Sequence, residues 1–202
     1  MKILTFETEQ AWLDARLCKI TGSRLKDIVV KRGTGKKLAF YELIAERIGI
    51  PSDGEDPMAR GHRLEIDAID RFIDATGKKV DPTLVLWTRE DDENIAVSPD
   101  GVIDGGREAV ECKALSSARH LQAYLTKEVP DEYHYQVLQY FLVSDKLERV
   151  HVAFLDPRLR HADFFYITVE RSDMLAEIEE MMIFEKQTIA EVEEIVAKLT
   201  EL

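Results

Sequence analysis

At Gly77 the pattern of the chain changes, and that change limits what it can fold into. From Met58 to Ala75, Leu64, Ile66, Ile69, Phe72 and Ile73 recur at helical spacing, and Gly77 is placed to end the helix. Beyond it, KVDPTLVLW (79–87), NIAVSPDGVID (94–104) and EAVECKAL (108–115) are short, rich in Val and Ile, and separated by Gly, Asp and Pro. These are strand and turn signals. Helical spacing returns at 116–127 and, after Pro130, at 131–143. ERVHVAFLD (148–156) and DFFYITVE (163–170) read as two more strands joined by a turn over 157–162. Ser172 is placed to cap an acidic helix that runs to the C-terminus. Upstream, helical spacing is present at 8–17, after Thr21-Gly22-Ser23 and from Leu38 to Ile48, with a basic loop at 31–37. Helices, a strand meander, helices, two strands and a helix predict an α/β (α+β) chain with one central sheet flanked by helices. Residues 1–202 are expected to form a single domain. Its parts are N-terminal helices and basic loop (1–57), a core (58–170) and an acidic helix (171–202).

Composition narrows the class. With 45% hydrophobic and 33% charged residues, the sequence is that of a globular protein rather than a disordered one. Two cysteines, Cys18 and Cys112, cannot supply a disulfide framework, a four-Cys zinc site or an iron–sulfur cluster. No run approaches the ~18 apolar residues of a membrane helix, and MKILTFETEQ is too polar for a signal peptide, so a soluble cytoplasmic protein is expected. The formal net charge of −12 argues against a surface that coats nucleic acid. The charge is uneven, however: residues 1–37 carry nine Lys/Arg against four Asp/Glu, and residues 170–202 carry three against ten. The average therefore leaves room for an anion-binding face.

The stretch that carries chemistry is Ser98-Pro99-Asp100-Gly101 followed by Glu111-Cys112-Lys113. Asp100 falls in a turn between strands. Glu111 and Lys113 stand two apart on the next strand, so their side chains leave on one face while Cys112 points to the other. If those strands pair, two carboxylates converge beside an ammonium. Carboxylates tolerate such closeness when they share a divalent cation, and hard oxygen donors suit Mg²⁺ or Mn²⁺. A nearby lysine can orient a water, and hydrolysis of a phosphodiester is the chemistry that fits. A turn aspartate and a surface ion pair would give the same letters, but Pro99 stiffens the approach and the E-x-K lies on an apolar strand where free charge is costly.

These residues resemble the PD-(D/E)xK nuclease superfamily. Reading outward, the segment from Trp12 to Ile28, Gly61-His62-Arg63-Leu64-Glu65 with Ala68, Tyr133 to Tyr140, and Asp156-Pro157-Arg158 with the strand after it resemble the lambda-type phage exonucleases. That family is also called viral recombinase or alkaline exonuclease. The resemblance covers about residues 10–172 in one order. It implies a restriction-endonuclease-like core with a central mixed sheet. Glu65, Asp100, Glu111 and the Cys112 carbonyl would be metal ligands, Lys113 would activate water, and Gln136 would assist. Arg16, Thr21, Ser23, Ser98 and Arg119 would hold a terminal 5′-phosphate. It further implies a Mg²⁺-dependent 5′→3′ exonuclease, with Mn²⁺ substituting, that degrades one strand of linear duplex DNA to 5′-mononucleotides. A 3′ single strand would be left for recombination, a ring-shaped homotrimer would enclose the duplex, and a single-strand annealing recombinase would be the partner. A structure-specific or restriction-type endonuclease and a non-catalytic DNA-binding or assembly protein are the rival readings.

Other signals are weaker. Gly33-Thr34-Gly35-Lys36-Lys37 lacks the full phosphate-loop pattern and a preceding strand. The five histidines show no zinc spacing; His134 is expected to have a structural hydrogen-bonding role. Tyr133, Tyr135, Tyr140 and Phe141 are expected to be mostly core.

Overall fold

The computed structural model describes Thr8, Leu38, Tyr41 and residues 57–200 apart from Leu84 and Glu93. The expected helices at 8–17 and after Thr21, most of the helix from Leu38, and the basic loop lie outside the described residues, as do Arg16, Thr21 and Ser23.

Helix α1 (Pro57–Thr76) follows the apolar spacing. It ends where Gly77, at φ +68°, takes the left-handed conformation and returns its N–H to the Ile73 carbonyl at 2.7 Å. Next come β1 (Trp87–Thr88) and β2 (Ala96–Val97), which pair antiparallel. The main sheet holds β3 (Gly101–Ile103), β4 (Glu108–Lys113), β5 (Arg149–Leu155) and β6 (Phe164–Glu170) in that order. β3–β4 and β5–β6 are antiparallel, whereas β4–β5 are parallel, so the sheet is mixed. A parallel pair needs a crossover. Here α2 (Ser117–Thr126) and α3 (His134–Val143) supply it. Helix α4 (Leu175–Thr200) closes the described chain, and among the described residues no helix is long and apolar enough to cross a membrane.

The period-two alternation of the strands builds two apolar layers. Val110, Cys112, Ala153 and Leu155 pack with Leu64, Ala68, Ile69 and Phe72 of α1. Ala109, Val150, Val152, Phe154 and Phe165 pack with Leu138, Phe141 and Leu142 of α3 and Ile178 of α4. Glu111 lies between Val110 and Cys112, so it faces the α3 side. That position is where a charge needs partners.

Two strand expectations shrink in the structure. Residues 79–87 form one bridge, Asp81 to Val102, and the two-residue β1. Pro82 has no N–H with which to continue a ladder, and the Asp81 side chain binds the Thr83 N–H and hydroxyl, turning the chain. Residues 94–104 divide into β2 and β3 because Pro99 interrupts them. Ser172 does not cap α4: it sits inside a 3₁₀ turn, Arg171–Met174, and its hydroxyl meets Asp173. Arg171 explains that turn, since its guanidinium reaches the carbonyls of Phe141 and Ser144 at 3.1 and 2.9 Å, anchoring the helix entry to the end of α3.

The close approach of residues 80–81 to β3 demands glycine at 101. A Cβ there would collide with Val80 Cγ1. Gly101→Ala is therefore expected to cost about 1–3 kcal/mol by overpacking, read as a lowered urea midpoint.

Candidate active site

The turn before β3 and the C-terminal half of β4 bring the acidic residues together. Val110 faces Gly101 across the β3–β4 ladder, and the Asp100 N–H bonds the Val110 carbonyl at 3.2 Å. Asp100 Oδ2 in turn accepts the Cys112 N–H at 2.7 Å, locking the turn aspartate onto the strand that bears Glu111. Glu111 is only 4% exposed. Its Oε1 accepts Lys113 Nζ at 2.6 Å and Gln136 Nε2 at 2.7 Å, and its Oε2 accepts the Tyr140 hydroxyl. Lys113 Nζ also lies 4.8 Å from the centre of the Tyr133 ring, a cation–π contact that steadies the ammonium.

The electrostatics are those of a site with surplus negative charge. Burial, with the charges of Glu111 and Glu65 adding to it, pushes the Asp100 carboxyl up to about 6 against the pull of the Cys112 amide and Lys113. Burial, followed by the charges of Asp100 and Glu111, raises the Cys112 thiol, so it is an inert apolar neighbour rather than a nucleophile. Tyr140 is raised by burial and by Glu111, so its hydroxyl stays protonated and donates.

Glu65 of α1 lines a small cleft with Leu64, Ala68, Cys112, Lys113, Ala114 and Leu155. Among the described residues, no three His, Cys, Asp or Glu side chains converge as a complete metal cage. What the site offers is the Asp100–Glu111 pair, with Glu65 near enough for its charge to act on Asp100. Two hard carboxylates with excess negative charge fit Mg²⁺, which keeps several waters and takes few protein ligands.

The remaining expected residues are placed as follows. Ser98 lies before the turn, and its hydroxyl donates to the Val85 carbonyl at 2.6 Å. Arg119, in the first turn of α2, reaches Gln122 Oε1 at 3.2 Å and Glu132 at 3.8 Å. Glu132 is next to Tyr133, whose ring meets Lys113, so the arginine adjoins that side of the site. His134 Nε2 contacts Glu177 at 2.6 Å, tying α3 to α4 in the structural role expected of it. Two participants were not anticipated. Tyr140 is core, as expected, but its hydroxyl is also part of the site, and Tyr133 forms a platform for Lys113. The i, i+4 spacing of Gln136 and Tyr140 puts both on one face of α3 and was the available signal.

Comparison with known proteins places the chain in a family. Residues 11–147 match the YqaJ-like viral recombinase domain. The chain belongs to that family. Among solved structures it is similar to LHK-Exo in complex with dAMP, at 28% identity and a TM-score of 0.61, covering 95% of this chain and 98% of that one. LHK-Exo, described as an alkaline exonuclease from Laribacter hongkongensis, matches again at 27% identity and a TM-score of 0.61, with the same coverage. No curated relative matches the sequence. This YqaJ-like protein is thus a nuclease with the mixed-sheet fold of its structural relatives.

Proposed function

We propose that the protein is a Mg²⁺-dependent 5′→3′ exonuclease that digests one strand of linear duplex DNA to 5′-mononucleotides and leaves a 3′ strand for annealing. The observation that carries this reading is the Asp100–Cys112 amide lock beside the buried Glu111–Lys113 pair. The similarity to an alkaline exonuclease structure that holds dAMP, a mononucleotide, supports an end-directed activity.

Asp100 and Glu111 would hold the cation, with Glu65 and the Cys112 carbonyl adjoining. When bound, Mg²⁺ supplies neutralisation of the scissile phosphoryl group and activation of water. The chain's own residues supply position. Glu111 Oε1 and the Tyr133 ring fix the Lys113 ammonium, whose remaining donors can align a water or meet a phosphoryl oxygen. Gln136 holds the same carboxylate oxygen from the helix side. Arg119, together with Arg16, Thr21, Ser23 and, once its hydroxyl turns from the Val85 carbonyl, Ser98, would receive the terminal 5′-phosphate. A guanidinium with hydroxyls satisfies a dianion by charge-assisted hydrogen bonds. A ring of three chains with the acidic residues 170–202 outward would let an enzyme of net charge −12 keep hold of DNA by enclosure. A strand-annealing protein would take up the exposed strand.

One comparison tests the reading. Linear duplex with a 5′-phosphate is expected to be digested to mononucleotides with Mg²⁺ and to survive in EDTA. A 5′-hydroxyl duplex is expected to be digested more slowly, and a closed circle not at all. Cutting of the circle would replace the exonuclease with an endonuclease, and digestion in EDTA would remove the metal. Light scattering should give three times the chain mass of 23.1 kDa.

A further inference from the structure

The connection between β5 and β6 runs from Asp156 to Asp163, because Leu155 and Phe164 form the last pair of the ladder. Surface connections are ordinarily the mobile parts of a fold. This one is pinned at both ends and in the middle. Asp156 takes the Ser117 hydroxyl of α2 at 2.6 Å, and the Arg158 guanidinium spans Asp156 and the Leu115 carbonyl. Leu159 is buried. His120, fully buried on α2, donates from Nε2 to the Ala162 carbonyl at 2.7 Å. Arg71 of α1 grips Asp163 with two bonds, at 2.8 and 3.2 Å. Ala162 is held at φ +55°, a left-handed conformation that is costly for alanine and persists only where the surroundings impose it.

The turn also lies at the working edge of the sheet. β4 and β5 are parallel, so both chains leave the sheet on the side of Lys113, which pairs with Phe154. Leu155, just before the turn, lines the cleft that holds Glu65 and Lys113. Ser117 and His120, to which the turn is bound, flank Arg119 on α2. Two of the arginines gathered here are committed, Arg71 to Asp163 and Arg158 to Asp156. Arg160 is exposed and, among the described residues, makes no hydrogen bond or ion pair. An unpaired guanidinium on a rigid mount, beside the site of a chain with net charge −12, suits an anion. We propose that Arg160 binds an internal phosphate of the duplex next to the site, a backbone contact independent of base sequence and of the terminal phosphate. The inference rests on the reading of the Asp100–Glu111 site as one that digests duplex DNA. Because its backbone is fixed beforehand, the arginine loses less freedom on meeting a phosphate, and the contact orients the duplex.

Arg160→Gln removes the charge from an exposed side chain that has no partner to lose, so the unfolding midpoint is expected to stay that of wild type. The test measures KM for Mg²⁺-dependent digestion of linear duplex across a KCl series. At low salt the variant's KM is expected to be about fivefold higher, and that deficit should shrink about 3–4-fold over a roughly fourfold rise in salt, since each phosphate contact adds about −0.9 to the slope of log affinity against log salt. The proportional rise should be the same on 5′-phosphate and 5′-hydroxyl duplexes. Arg160→Lys, which keeps the charge, should restore the salt dependence. A KM and a salt slope equal to those of wild type overturn the contact and leave the nuclease reading in place. So does a rise confined to 5′-phosphate ends, which would move Arg160 into the terminal pocket. A changed particle mass in light scattering also overturns it, by putting the turn between copies of the chain. Wild type that digests no linear duplex overturns the proposed function and this inference together.

Discussion

Asp100→Asn is expected to abolish cleavage and, in the same molecule, to raise the stability of the metal-free protein. Asparagine keeps the oxygen that accepts the Cys112 N–H, so the turn stays locked to β4. It removes a charge that the fold resists: burial and the neighbouring Glu111 and Glu65 hold the Asp100 carboxyl at about 6. The folded protein thus retains a proton that the unfolded chain releases near pH 4. Stability from this group is complete at low pH and is lost as pH rises through about 6. At pH 8 the loss amounts to about 2–3 kcal/mol, which the asparagine variant recovers. The gap in unfolding midpoint between variant and wild type should be largest at pH 8 in EDTA and close as pH approaches 4. Mg²⁺ should narrow it from the other side by stabilising wild type alone. Activity should fall about a thousandfold or more, since a cation ligand is worth several kcal/mol in the transition state. A variant that still cuts, or one less stable than wild type at pH 8, would contradict the assignment of Asp100. The expected trade of stability for activity is that of a site kept charged for function.

The second large effect lies away from the carboxylate pair. Asp156 is fully buried at the end of β5. Its carboxylate accepts Ser117 Oγ at 2.6 Å and Arg158 Nε at 2.7 Å, and Arg158 also reaches the Leu115 carbonyl at 2.9 Å. Three segments meet there: the chain leaving β4, the first turn of α2 and the turn between β5 and β6. Burial alone would raise this carboxyl, but hydrogen bonds from Arg158 and Ser117 take it below the usual range. Asp156→Ala leaves the half-buried guanidinium without its counter-ion and is expected to cost about 3 kcal/mol. The sign follows from a depressed folded pKa: the stabilisation is present above the unfolded value and is lost as pH falls through the folded one. The difference in urea midpoint between wild type and variant should therefore be full at pH 7 and shrink in acid. A midpoint unchanged at pH 7 would mean that the network contributes nothing net. Because Lys113 pairs with Phe154, two residues before Asp156, the variant should also lose activity at temperatures where it remains folded.

The element order was readable because it depends on local chemistry. Helical spacing and Gly77 delimit α1, and alternation marks β4, β5 and β6. The pairing of Asp100 with Glu111 was readable for the same reason: a proline-stiffened turn followed at once by an E-x-K strand leaves few ways to fold back. Strand extent was less legible at 79–87, where Val and Leu suggest a strand but Pro82 and the Asp81–Thr83 turn prevent a ladder.

Sequence by itself determined which residues lie on which face of each strand and helix, because backbone geometry fixes periods of 2 and 3.6 over a few residues. Only the tertiary structure decided which faces meet. The parallel β4–β5 pairing carries α3 across the sheet and brings Gln136 and Tyr140 onto Glu111, 25 and 29 residues away in sequence. Such contacts are set by burial of a charge in an apolar layer. That charge must find donors wherever the packed chain supplies them.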